Sequence, residues 1–327
     1  MFMKLLYSCV ILCSIFACQK VTIKRTYNKI SCTRGPEDIV LDKANHRILI
    51  SCNEYRDNMP KHGEIQQLDL ISAQCSTLPL VGMPPIPFHP HGFDMQTING
   101  INYLYAINHY SDGSKTSSVL KFKINASNLE FEKEFKNSLL ISPNDLTVLP
   151  NGSFYFSNDR NSLDVLELLT NPYAGSVVYC DGDNTWKKVD SAIAFPNGMY
   201  NENNTLYVAT SRNHALFTYT IQPDGSLSNR KTLSKINGMD NISDNGDELI
   251  VAVHADEIKF ALLAYIPSTK SPCKTFSINK KTGAAKLIFS DDGSMISGSS
   301  TALVVGKDLY LSQVFEGFIL KITHYDD

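Results

Sequence analysis

Six polar pairs recur along this chain, each at the head of a strand-like run: Glu37-Asp38, His91-Gly92, Asn144-Asp145, Asn197-Gly198, Asp240-Asn241 and Ser299-Ser300. A second polar set closes the run that follows each of them: Asn53, His109, Asn158-Asp159, Ser211, His254 and Gln313. Two chemistries are available in these residue types. Glu37, Asn144, Asn197, Asp240 and Asn241 offer oxygen ligands only, and an oxygen-rich, flexible set suits Ca²⁺, which takes about six to eight oxygens. The two carboxylates among the five neutralise one divalent ion and leave positions for water or substrate. Zinc would select imidazoles or thiolates instead. His91 and His109 can exchange a proton near neutral pH. Taken singly, Asn and Asp ahead of a strand are ordinary turn residues, so the chemistry depends on what brings them together.

What brings them together is an internal repeat. The runs "RILISC" (47–52), "YLYAINH" (103–109), "SFYFSND" (153–159), "TLYVATS" (205–211), "ELIVAVH" (248–254) and "DLYLSQ" (308–313) share a β-branched and aromatic character, and lie roughly 45 to 60 residues apart. Each has an upstream partner: "EDIVLD", "HGFDMQ", "NDLTVL", "NGMYNE", "DNISDN" and "SSTALVV". Turn formers such as "KANH", "PNG", "ENN" and "NGD" join the partners, and further strand-like segments such as "GEIQQLDL" and "SSVLKFKI" follow. The spacing predicts an all-β fold, a six-bladed β-propeller with four-stranded blades, occupying residues 19–327 as a single domain. The segment "KVTIKRTY" near residue 20 is expected to supply the outer strand of the last blade. Asn161–Pro172 and Asp256–Ser271 fit no strand and are expected as short covering helices or loops, with "LDVLELL" as a lid.

In such a ring the start of each first strand and the end of each second strand meet at one mouth. The polar pairs are therefore predicted to converge there. Asp38 and Asp145, one residue deeper on neighbouring first strands, should point away from Glu37 and Asn144. A second, more buried structural ion fits between them.

The remaining features bound the setting. Hydrophobic residues make up 43% and charged residues 19%, enough for a packed core, and a formal charge of -3 without a basic cluster speaks against nucleic acid as a partner. Residues 1–18 have one Lys and then an apolar run too short to span a bilayer, the length of a signal-peptide core. Ile15-Phe16-Ala17-Cys18 resembles a bacterial lipobox with Cys18 lipidated. The expectation is an exported, periplasmic or cell-surface protein, with three readings open for this segment: a lipid anchor to the membrane at Cys18, an ordinary cleaved signal peptide, or an uncleaved anchor. Five cysteines follow (Cys32, Cys52, Cys75, Cys180 and Cys273), with no C-x-x-C, so at least one thiol is unpaired within the chain and any disulfide is unassigned.

The ordered set "GPEDIVLD", "HPHGFDM", "INH", "PNDLTVL", "FPNGM" and "MDNIS…VAVHADEIKF" resembles the signature segments of the paraoxonase/arylesterase family, from about Gly35 to the C-terminus. The resemblance implies a six-bladed propeller with two calcium ions in its channel. It implies that Glu37, Asn144, Asn197, Asp240 and Asn241 hold a catalytic calcium, and that Asp38 and Asp145, with the main-chain carbonyl of Phe93, hold a structural one. His91 and His109 match the family's histidine dyad, His254 a further active-site histidine, and Tyr55 a pocket-wall tyrosine. The family's vertebrate members tie their N-terminal segment to the C-terminal end with a disulfide. Here Cys32 lies near the right place, but the final "ILKITHYDD" contains no cysteine.

The expected chemistry is calcium-dependent hydrolysis of lactones and aryl esters. The cation polarises the carbonyl and His91 acts as base with His109 as its partner. Asp240 or Glu37 assisting the water, with His91 positioning substrate, is the alternative. No G-x-S-x-G is present for a serine nucleophile. Two competing functions share the architecture: a gluconolactonase-like sugar-lactone hydrolase and a non-catalytic ligand-binding propeller.

Overall fold

The second strands of this protein are buried on both faces, and that dictates the rest. Arg47–Asn53, Ile101–His109, Phe154–Asn158, Thr205–Thr210, Glu248–His254 and Asp308–Gln313 are the repeated runs seen in the sequence. A strand flanked by sheets on both sides reads as a continuous apolar run and not as an alternation. In the computed structural model, which describes residues 25–56, 59, 63–109, 116–162 and 170–326, each run pairs with a first strand upstream and a third strand downstream. The six resulting sheets are the blades of a propeller.

The first strands are Pro36–Asp42, Pro90–Ile98, Pro143–Val148, Pro196–Glu202, Met239–Asn245 and Ser299–Val305. They contact one another in sequence around the axis, the last touching the first. Packing follows the same logic, with an apolar cluster at each blade interface. Leu49 and Ile65 of blade one meet Phe93 and Leu104 of blade two, and Tyr105 and Ile107 of blade two meet Leu146 and Phe156 of blade three. At the seam, Leu303 and Tyr310 of blade six meet Ile39, Ile48 and Ile50 of blade one. Blade two departs from four strands by an added two-residue strand, Leu80–Val81, parallel to Leu129–Phe135.

Ring closure uses the N-terminal segment, shifted from its expected place. The closing strand is Thr26–Ser31, antiparallel to Phe318–Thr323 from Thr26 opposite Thr323 to Ser31 opposite Phe318. Of "KVTIKRTY", Thr26 and Tyr27 lie in this strand, and residues 20–24 are outside the described residues. The strand's exposed face carries polar residues and only Ile30 is buried, so it lacks the apolar signature of a central strand.

A disulfide reinforces the seam. Cys32, just past the closing strand of blade six, is bonded to Cys75 in Gln74–Thr77, the outer strand of blade one. The bond spans 43 residues, and cross-linking a loop of that length contributes about 4 kcal/mol in the chain-entropy treatment. Cys52, Cys180 and Cys273 are free and buried. Cys75→Ser is expected to lower the unfolding free energy by about 2–4 kcal/mol in denaturant melts. An unchanged midpoint would show that the bond does not secure the seam.

Of the covering segments, Asp256–Ser271 contains a short helix, Glu257–Leu263, whose N-cap Asp256 accepts from the Lys259 amide at 3.0 Å. "LDVLELL" and residues 1–18 lie outside the described residues. Among the described residues no helix is long and apolar enough to cross a membrane.

Candidate active site

Each first strand loses register with its partner at one recurring point. The steps fall between Pro36 and Asp38, Pro90 and Phe93, Pro143 and Leu146, Pro196 and Met199, Met239 and Ile242, and Ser299 and Ala302. The residues stepped over are Glu37, His91-Gly92, Asn144-Asp145, Asn197-Gly198, Asp240-Asn241 and Ser300-Thr301. Four of the polar pairs are thus the residues of β-bulges, which bend a strand and re-aim its side chains; in blade one the step takes in Glu37 alone, and in blade six it falls one residue later, on Ser300-Thr301. Glycine belongs to this device at two places. A Cβ on Gly198 would lie 2.5 Å from the Asp240 carbonyl oxygen, and one on Gly92 would lie 2.4 Å from that of Asn144. These bulges therefore pack backbone against backbone of the next blade. Gly198→Ala is expected to lower stability by about 1–3 kcal/mol, the usual cost of overpacking. A melt indistinguishable from the parent would contradict that close approach.

Around the axis the bulges of blades one, five and six converge. Ser300 Oγ donates to Glu37 Oε1 at 2.6 Å and lies 2.9 Å from Asp240 Oδ2. Asn241 Nδ2 donates to Glu37 Oε1 at 3.1 Å and to Thr301 Oγ1 at 3.0 Å. His254 Nε2 stands 2.8 Å from Asp240 Oδ2, and its ring stacks on Phe260 with centroids 3.6 Å apart. Asn197 is buried on blade four. Three oxygens of this set are buried without a hydrogen-bond partner: Glu37 Oε2, Asn197 Oδ1 and Asn241 Oδ1. Buried polar atoms are nearly always satisfied, so three orphaned oxygens in one predicted ligand set are a reason to look for a cation.

Below this ring, Asp38 Oδ1 accepts from Thr301 Oγ1 at 2.8 Å and Asp38 Oδ2 accepts from the Phe93 amide at 3.0 Å. Asp145 Oδ2 accepts from the Met199 amide at 2.6 Å. The two aspartates, expected on neighbouring first strands, are not on adjacent blades. They belong to blades one and three, with Phe93 of blade two between them. Asp38, Phe93 and Asp145 line a cavity of about 670 Å³ that runs along the first strands to the far face, past Leu146, Met199, Ile242 and Leu303.

Electrostatics favour a positive charge here. Burial, and then the neighbouring Asp240, push the Glu37 carboxyl up to about 8. Burial and Glu37 hold Asp38 well above the carboxylate range, and burial and Asp38 do the same to Asp145. Unpaired buried carboxylates are costly, and a divalent ion reverses the local balance. Among the described residues no three His, Cys, Asp and Glu side chains gather as a metal-ligand set. The gathering relies instead on amide and hydroxyl oxygens beside Glu37 and Asp240, which is donor chemistry suited to calcium.

The mouth holds a separate pocket of about 360 Å³ lined by Tyr55, His91, His109, Asn144, Asp159 and Arg160, among others. His91 Nδ1 is 2.8 Å from the Tyr55 hydroxyl, and the rings of His91 and His109 meet edge to face with centroids 5.1 Å apart. His109 Nδ1 contacts Ser117 Oγ at 3.0 Å. Desolvation pushes His91 down to about 4 and His109 down to about 3, so both imidazoles are neutral at pH 7. His254 does not line this pocket.

The sequence-predicted residues thus fall into three groups: a buried ring, a pair of aspartates beneath it, and two histidines with Tyr55 and Asn144 at the mouth. The hydroxyls of Ser300, Thr301 and Ser312 were missed as site residues, although Ser312 Oγ donates to the Glu37 carbonyl at 2.7 Å. Ser300 stood in register with the ligand set and carried that signal. Phe260 and Arg160 had none in the repeat.

A propeller with an oxygen-lined axis and a histidine-bearing mouth defines a broad class. Within it, the chain belongs to the arylesterase family, whose family model matches residues 58–320. It is 26% identical over 270 residues to serum paraoxonase/arylesterase 2 of Canis lupus familiaris, and 27% identical over 270 residues to serum paraoxonase/arylesterase 1 of Mus musculus. Each alignment spans 78% of this chain and 75% of that protein. Among solved structures, a luciferin-regenerating enzyme superposes with a TM-score of 0.59 at 12% identity, over 92% of this chain and 95% of that one. A gluconolactonase from Xanthomonas campestris gives 0.50 at 11%, over 90% and 97%. At such identities the structures speak for the fold alone.

Proposed function

We propose that this protein is a calcium-dependent hydrolase of lactones and aryl esters. The observation that carries the proposal is the set of orphaned oxygens, Glu37 Oε2, Asn197 Oδ1 and Asn241 Oδ1, buried near a pocket that holds neutral imidazoles. Membership of the arylesterase family supports the same reading. Glu37, Asn144, Asn197, Asp240 and Asn241 would hold a catalytic calcium, and Asp38, Asp145 and the Phe93 carbonyl a structural one. Calcium, when bound, supplies a Lewis acid that polarises the substrate carbonyl and stabilises the charge developing on its oxygen.

The chain's own residues do the rest. Tyr55 OH can donate to the Pro90 carbonyl, 3.4 Å away, and accept from His91 Nδ1–H. In that tautomer His91 Nε2 carries the free lone pair and takes a proton from water. His109, against the His91 ring, passes the proton toward the mouth. Asp240 is occupied by Ser300 and His254, which favours His91 over Asp240 as base. We assign His254 to positioning Asp240, its ring held by Phe260.

Two measurements follow. Purified protein is expected to hydrolyse a γ-lactone and an aryl acetate, to lose both activities on chelation and to regain them with calcium, with a sugar lactone run alongside to separate a gluconolactonase-like specificity. Full activity after verified calcium removal, or no hydrolysis by the loaded protein, would overturn the proposal. A base whose pKa lies near 4 is deprotonated above that value, so kcat/KM should fall on the acid side with a midpoint near 4. A midpoint at the ordinary histidine value of about 6.5 would exclude the desolvated His91 as base.

For location, we propose that residues 1–18 direct export, with Cys18 as a lipid attachment point. The Cys32–Cys75 bond supports an oxidising compartment.

A further inference from the structure

We propose, on the hydrolase reading above, that Arg160 makes the mouth pocket selective for substrates carrying a free carboxylate beside the scissile lactone or ester. Arg160 lines the pocket together with His91, His109 and Asn144. It is anchored by one edge only. Its Nε donates to Ser142 Oγ at 3.2 Å and lies 3.3 Å from Asp159 Oδ1. Among the described residues its two terminal nitrogens have no hydrogen bond or ion pair. Ser142 therefore anchors the guanidinium through Nε, with Asp159 as a charged neighbour, and the pair of terminal N–H groups that forms a bidentate fork is not used.

That fork matches a carboxylate in geometry as well as in charge. The side chain is only 29% exposed, so its charge is less screened than at an open surface. Arg160 is also close enough to the dyad to be felt there: after burial and His91, its charge is a further cause holding the His109 imidazole down. A carboxylate on Arg160 would thus sit in the same pocket as the two histidines and not at a remote rim. Ile141 and Pro143 supply apolar wall for the substrate ring, and a volume of about 360 Å³ lies at the small end for ligand sites, suiting a compact ring with one charged substituent.

The test compares a γ-butyrolactone bearing a ring carboxylate with its neutral carboxamide, on calcium-loaded protein. The parent is expected to favour the carboxylate by about tenfold or more in kcat/KM, the size of a charge-assisted hydrogen bond. Arg160→Gln should collapse that ratio toward one, through KM. Arg160→Lys, which keeps the charge but not the fork, should give an intermediate ratio. A parent that turns over the carboxamide equally well or better would overturn the proposal, as would a ratio unchanged in Arg160→Gln. If neither lactone nor an aryl acetate is hydrolysed, the hydrolase reading fails, and calorimetric binding of 2-hydroxyglutarate decides the Arg160 site separately. Binding at least tenfold weaker in Arg160→Gln supports it, and equal binding in both proteins overturns it.

Discussion

His91→Gln is expected to lower kcat on a γ-lactone by about 10²–10⁴-fold, the range for removing a positioned general base, while stability falls by only about 1 kcal/mol. The separation follows from the surroundings of His91. Among the described residues its one hydrogen bond is to Tyr55, and one such bond is worth about 0.5–1.5 kcal/mol net. A purely structural histidine would lose activity and stability in proportion. Tyr55→Phe provides the companion measurement. It removes the acceptor that favours the Nδ1–H tautomer but leaves the ring in place, so kcat should fall less than in His91→Gln while the acid limb of the pH profile shifts. If His91→Gln retains its turnover, the base lies elsewhere, and Glu37, with its free Oε2, becomes the next group to replace.

The second large effect concerns the proposed calcium ions. A ligand held at about a thousand times its dissociation constant stabilises the folded state by about 4 kcal/mol, so chelation is expected to lower the melting temperature strongly and calcium to restore it. Asp145→Ala should abolish much of that calcium-induced shift. The pH dependence of the chelated protein has a definite sign. Glu37, Asp38 and Asp145 have folded-state values raised above their ordinary ones. The folded state therefore binds more protons than the unfolded state between about 4.5 and about 8 for Glu37, and stability falls as pH rises through that window. The chelated protein should melt higher at pH 5 than at pH 8, and added calcium should remove the difference at pH 8. A calcium-independent melt with the same pH trend would leave the carboxylates without an ion to neutralise them.

Much of this fold was legible because propeller blades bury their second strands on both faces. "RILISC" and "ELIVAVH" carry that pressure as unbroken apolar runs, and the register between them fixed which polar residues could meet. Other elements left weaker traces. Thr26–Ser31 is an outer strand with one buried residue, so nothing apolar marks it. The bulges escape a pattern read by alternation, because a step such as that between Pro143 and Leu146 changes neither composition nor spacing. The partnership of Cys32 with Cys75 is not encoded in the distance between them. Arg160 belongs to the loop after a repeat and became visible only when that loop met the mouth of the channel.

Calcium per chain, determined by elemental analysis after exchange into a calcium-buffered solution, tests the central claim most directly. The expected result is two ions on the parent protein and one on Asn197→Ala/Asn241→Ala, whose substitutions remove two of the orphaned oxygens and spare the aspartates beneath. A parent that carries no calcium, or a double variant that carries as much as the parent, would contradict it.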